Sequence, residues 1–322
     1  MAHNDGKVMP TYIRAAEKKY EIQCKMELAS MATSNEERKA FLDEACRLGE
    51  CMRDVVFSLH GSDFSVTVER DVVFSLHKNG KIATETWTVE GRISRRDGPA
   101  YIQYGPDGEL ESEMWYVDGK EHRLDGPAIV TYAAAFDKTA VKNIICREIW
   151  YVDGKIHRDG DEPAMRHYFN DGTVHMEQWF SHGQKHRIGV PAFIIYYENG
   201  NVCEKTWYQH DKIHCEEQPA VIKYYNTGEI KETIWYLNGE MHRDGDEPAR
   251  VCCFDREYVN TTISQQKKHA NGPIVGMKWW VVHGKKHSSS GPAVITYYSD
   301  GNICEEVWYQ HGVKINMKKG EY

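Results

Sequence analysis

The sequence predicts a mainly β fold: an elongated array of antiparallel β-hairpin repeats, about 28 residues per cycle, behind a short N-terminal helical segment. Three observations carry this. Trp87, Trp115, Trp150, Trp179, Trp207, Trp235, Trp280 and Trp308 recur at intervals of 28, 35, 29, 28, 28, 45 and 28 residues. Pro99, Pro127, Pro163, Pro191, Pro219, Pro248 and Pro292 are each followed by Ala. Between these landmarks, turn signals such as Asn199-Gly200 alternate with stretches rich in Tyr, Trp, Val, Ile and Thr, residues that suit a pleated, half-buried surface. Two landmarks keeping one period mark eight cycles of an internal repeat, which overrides a domain count read from length.

The front segment, residues 1–52, is built differently. From Pro10 to Cys51 the first Gly is Gly49, and Ala, Glu, Lys and Met dominate. Pro10 suits a first helical turn. Ser34 and Glu37 have capping-box spacing, and Phe41, Ala45, Leu48 and Met52 recur every three or four residues, as on one helix face. Helices are expected at about 11–32 and 35–52, serving as a cap or as a docking element. Residues 53–77 carry RDVVFSLH twice, at Arg53 and Arg70. The two copies are expected to form a first hairpin that closes the sheet, since a terminal repeat exposes the face its neighbour would cover.

The array proper occupies residues 78–322. An apolar residue stands two past each turn Gly (Ile82, Leu110, Val174, Val202, Ile230, Ile303) and Trp stands seven past it. A second turn follows at Gly119, Gly154, Gly183, Gly239, Gly284 or Gly312, then a His-centred stretch and Pro-Ala. Four residues past the Ala stands Tyr104, Tyr132, Tyr168, Tyr196, Tyr224 or Tyr297. Asp-Gly and Asn-Gly supply the positive φ of tight hairpin turns, so the chain reads as a meander of about 16 strands, two per cycle. Pro removes a ladder donor and marks a bulge, bend or strand edge. Trp and the apolar residue five before it fall on opposite faces of a regular strand; either both faces are partly apolar or a bulge intervenes. Insertions near 133–142 and 255–273 read as surface loops. HRDGDEP, at His157 and His242, is one residue longer than its counterparts.

Composition narrows the functional classes. A net charge of −8, from 48 acidic and 40 basic residues, disfavours broad attraction to nucleic acid or anionic lipid. Nine Cys without compact spacing, no apolar leader and no apolar run near ~20 residues lead us to expect free thiols in an intracellular setting. Nucleophile-elbow, HExxH and P-loop patterns are absent.

His122, His157, His186, His214, His242 and His287 share one place in the cycle, and Arg123, Arg158, Arg187 and Arg243 follow four of them. A position repeated this way serves the fold rather than one active site; Arg123 is expected to pair with Asp125. Zinc needs three or four convergent ligands, and His214-Cys215 and Cys252-Cys253 lack that spacing. Glu113, Glu148, Glu177, Glu204, Glu232 and Glu305 recur just before Trp and read as one solvated or cross-strand-paired row. The Trp residues are expected to pack the array. The Tyr row suits packing and ligand stacking equally. No catalytic, cofactor-binding or metal residue is therefore assigned, and no cofactor is expected.

Two stretches fix a resemblance: WYVDGKEHRLDGPA from Trp115 and WYVDGKIHRDGDEPA from Trp150. Over roughly residues 78–315 the chain resembles variant MORN-repeat proteins, and most of all those of large DNA viruses of amoebae such as the marseilleviruses. Similar repeats occur in bacterial proteins, some described as antitoxins. The resemblance implies an antiparallel β-array used for protein contacts, with no catalytic residues. The cycle is longer than a standard MORN repeat, and Trp and His-Arg are prominent, so lipid binding is not carried over. The expectation is a non-enzymatic structural or protein-interaction scaffold, a minor capsid or capsid-associated protein, found in host cytoplasm and virion. Its partners would be capsid or assembly proteins or a second copy, with neither nucleic acid nor membrane contact. The alternative is an intracellular adaptor or antitoxin-like module with one soluble partner.

Overall fold

In a computed structural model, the structure describes residues 55–60, 63–68, 72–89, 91–133, 144–255 and 274–315. The expected helices at 11–32 and 35–52 lie outside the described residues, as do nearly all of both insertions. The chain divides into two compact units, residues 1–154 and 155–322.

In the first unit the strands Val55–His60, Asp63–Val68, Val72–Leu76, Ile82–Val89, Tyr101–Tyr104, Leu110–Met114, Ile129–Tyr132 and Ile145–Ile149 pair in that order, each antiparallel to the next. In the second, the order is Met165–Tyr168, Val174–Gln178, Phe193–Tyr196, Val202–Thr206, Val221–Tyr224, Ile230–Ile234, Arg250–Phe254, Ile274–Trp279, Val294–Tyr297 and Ile303–Gln310. Order in space follows order in sequence, as a meander requires. Tyr132 pairs with Ile145 and Phe254 with Ile274. Both insertions therefore interrupt a hairpin connection and leave the ladder intact.

Three features differ from the sequence reading. The two RDVVFSLH copies do not pair with each other, because Asp63–Val68 lies between them and pairs with both. A short local connection costs less chain entropy than a longer closure, and DFSVTV is itself a good strand. Each cycle also holds two hairpins rather than one. The short hairpin after Trp, such as Tyr116–Val117 with Lys120–Glu121, forms its own ladder. Its turn has positive φ at both central residues, 51° at Asp118 and 79° at Gly119, the type that matches strand twist. His182, His210, His283 and His311 occupy the first of these positions, one that His tolerates better than most residues.

The third feature settles the face question. In the long hairpins from Val72 onward the register shifts by one residue at the same place, just before the recurring Tyr, as at Gln103/Tyr104, Ile195/Tyr196 and Thr296/Tyr297, or before its counterparts Leu76 and Cys253. The bulge resets the alternation. Ile82 pairs with Leu76 and Trp87 with Val72; Leu76 and Val72 are four apart on one strand, so Ile82 and Trp87 share a face.

The core is organised around the alanines. Ala100, Ala128, Ala192, Ala220, Ala249 and Ala293 have no exposed surface. The Ala100, Ala128, Ala192, Ala220, Ala249 and Ala293 carbonyls accept the backbone N–H of Trp87, Trp115, Trp179, Trp207, Trp235 and Trp280 at 2.7–2.9 Å. Pro sits two residues before the strand, where its missing donor costs no ladder bond.

Candidate functional site

The most densely repeated chemistry is the stretch from Trp to Pro-Ala. Here Arg lies over Trp: the guanidinium carbons of Arg95, Arg123, Arg187 and Arg243 sit 4.0, 4.1, 4.0 and 4.2 Å from the ring centres of Trp87, Trp115, Trp179 and Trp235. Stacking of this kind contributes about 0.5–2 kcal/mol, more when desolvated. The same guanidiniums donate to the carbonyls of Pro99, Pro127, Pro191 and Pro248 at 3.0–3.4 Å, which holds the loop over the ring. The expected Arg123–Asp125 pair is present at 2.8 Å. It draws the Asp125 carboxyl below the usual range through a hydrogen bond and charge.

The longer HRDGDEP loops reach further. The Asp161 carbonyl accepts Nε1–H of Trp179 in the next cycle at 3.0 Å, and the Asp161 carboxylate pairs with Arg187 at 2.8 Å. In the second copy, the Asp246 carbonyl accepts from Trp280 at 2.9 Å. The added residue ties one cycle to the next.

The histidines do the same. Nδ1 of His122, His157, His214, His242 and His287 accepts the backbone N–H of Asp153, His182, Asn238, His283 and His311 at 3.1–3.4 Å. An acceptor Nδ1 places the ring proton on Nε2. In His157 and His242 that nitrogen meets Asp159 and Asp244 at 3.1 Å. Four inner rings stack on a turn His of the following cycle: His157 on His182, His186 on His210, His242 on His283 and His287 on His311, with centroids 4.2–4.5 Å apart. Burial, and secondarily the charge of His210, lowers the His186 pKa. With both nitrogens of His157 and His242 engaged, these rings have no lone pair to offer a metal. Among the described residues no group of three or more His, Cys, Asp or Glu is placed to hold one.

The Tyr row meets the Glu row. The hydroxyls of Tyr104, Tyr132 and Tyr196 donate to Glu85, Glu113 and Glu177 at 2.8, 2.8 and 2.9 Å. Burial first, then the carboxylates, push these phenols up, to about 12 at Tyr196. In later cycles Lys takes the place of Glu: Lys205 and Lys278 approach the rings of Tyr224 and Tyr297 at 5.9 and 5.8 Å.

The six glutamates expected to form one row divide in two. Glu113, Glu148 and Glu177 stand two residues before Trp; Glu204, Glu232 and Glu305 stand three before it. Successive residues face opposite sides, so the two sets lie on opposite faces of their sheets. The position opposite Ile194 is held by Glu177 on one neighbouring strand and Lys205 on the other. On the other face Lys223 lies 3.9 Å from Glu204 and 3.4 Å from Glu232, and Arg250 Nε donates to Glu232 at 2.6 Å. Burial works to raise the Glu232 carboxyl, but Cys252, Arg250 and Lys223 outweigh it and hold it below its ordinary value. Burial and Glu232 raise the Cys252 thiol to about 11, so it is protonated and unreactive at neutral pH.

No family model and no curated protein matches the chain. No helix among the described residues is long and apolar enough to cross a membrane.

Proposed function

We propose that the chain is a non-enzymatic structural and protein-interaction scaffold of the variant MORN-repeat type. The specific reading is a minor capsid or capsid-associated component of a large DNA virus particle. The observation that carries the scaffold reading is where the recurring polar groups go. Arg stacks on Trp and holds the Pro carbonyl. His accepts from the next turn. Tyr donates to Glu of the preceding long hairpin. Groups that could perform acid–base or metal chemistry are instead spent on bracing each cycle and joining it to its neighbours, which favours rigidity along each unit. Contacts with partners then fall to the side chains that vary from cycle to cycle.

Mass spectrometry of purified, crosslinked particles from the source organism tests the specific reading. It predicts that the chain is recovered with capsid protein and crosslinked to it. Absence from particles, with recovery in a one-to-one soluble complex, would replace it with the adaptor reading.

A further inference from the structure

In the second unit the exposed charged residues of the loops that lead to Pro163, Pro191, Pro219 and Pro248 are all acidic. Arg187, over the Trp179 ring, is 17% exposed, while its partner Asp161 is 82% exposed. Glu162 and Glu216, in the cycles before and after, are 58% and 75% exposed. Solvent therefore meets carboxylates. From this rim project aliphatic side chains: Ile188, directly after the stacked Arg187, is 79% exposed, and Val190 is 40% exposed. Gly189 between them has φ of 74°, a conformation that turns the backbone between the two. The first unit repeats the exposed aliphatic residue in one loop, while its preceding loop exposes Arg96 beside Asp97. Leu124 directly follows stacked Arg123, is 76% exposed, and neighbours Asp125, which is 86% exposed. Isolated exposed aliphatics are ordinary. Ile188 and Leu124 stand at one place in the cycle, where Arg96, Asp159, Glu216 and Asp244 stand in other cycles.

We propose that Ile188 and Val190, set in this acidic rim, are a docking knob for a protein partner whose surface carries an apolar pocket ringed by Lys or Arg. Interface anchors are apolar groups seated in a desolvated pocket inside a polar rim, and opposite charge around them sets specificity and association rate. Phosphate-bearing surfaces are disfavoured by the carboxylates, and a second copy would oppose one acidic rim with another. The inference rests on the scaffold reading and supplies its contact.

The test uses the full chain and two fluorescent synthetic peptides of equal length and charge, one alternating Lys and Leu, the other Lys and Ser. Fluorescence anisotropy is expected to show the Lys–Leu peptide binding about tenfold tighter, with binding weakened in about 0.5 M salt. Combined Ile188→Ser and Val190→Ser substitution is expected to abolish the preference while leaving the thermal midpoint unchanged, since both side chains are exposed. Equal binding of the two peptides, or a preference that survives the double substitution, overturns the proposal. So does self-association of the unaltered chain that the double substitution removes, because the knob would then belong to a second copy. A crosslinked partner recovered equally by unaltered and substituted chains removes the knob and leaves the scaffold reading standing.

Discussion

Replacing Ala192 with leucine puts a larger side chain where no surface is exposed, beside a carbonyl that must stay 2.8 Å from the Trp179 N–H. Overpacking of this kind costs about 1–3 kcal/mol, so Ala192→Leu is expected to lower the urea midpoint by a corresponding amount. Arg187→Lys keeps the charge but loses the planar stack on Trp179 and the fork that reaches Pro191 and Asp161; a loss of about 1–2 kcal/mol is expected in the same assay. Tyr132→Phe removes a hydrogen bond to the Glu113 carboxylate and is expected to cost about 1–3 kcal/mol. His186 governs part of the pH response. Its folded pKa is lowered by burial and by His210, so the unfolded chain binds the proton more readily. Its contribution is full above the unfolded value of ~6.5 and is lost as pH falls from there through the folded value. Unfolding curves between neutral and mildly acidic pH are expected to show declining stability, and His186→Gln is expected to flatten that decline. At this scale the sequence was readable as landmarks but not as partners. The Arg123–Asp125 pair follows from spacing, whereas the Arg–Trp stack depends on a short hairpin folding back between them. The glutamates misled because an offset of one residue before Trp leaves the pattern looking alike while reversing the face.

At the scale of elements, the turns were legible and the bulges were not. Asp-Gly and Asn-Gly announce positive φ, and Gly239 at 91° shows why: a side chain there must enter a left-handed conformation that costs roughly 1–2 kcal/mol. Gly239→Ala is therefore expected to destabilise the second unit by about that much in thermal unfolding. The bulge before each Tyr leaves no residue-type signal, since Glu111, Cys203, Lys231 and Cys304 all stand at the unpaired position. Only the odd spacing between the turn-following apolar residue and Trp hinted at it. The second turn is legible at its Gly, but the separate ladder around it is not, because two-residue strands such as Tyr116–Val117 are too short to show alternation. Asp63–Val68 carries no repeated landmark, although it is the strand that pairs with both RDVVFSLH copies.

At the scale of the molecule, the period was fully legible because Trp and Pro-Ala are spaced by packing that each cycle must repeat. What the period conceals is which recurring groups act within a cycle and which act between cycles. Hydrogen bonds from Arg187 N–H to the Tyr208 carbonyl, and from Gly239 N–H to the Ile213 carbonyl, run from each cycle to its neighbour, together with the His, Arg and Asp161 contacts. In such an array the effect of a local lesion should decay over adjacent cycles. Hydrogen–deuterium exchange of Arg187→Ala, compared with the unaltered chain, tests this most directly. The account predicts faster exchange in the Arg187 loop, in the Pro191-Ala192 start of its strand and at Trp179, with Val294–Tyr297 and Ile303–Gln310 unchanged. Unaltered exchange throughout the second unit would mean that the stacked arginine is idle, and would contradict the claim that these repeated polar groups brace the cycles and join them.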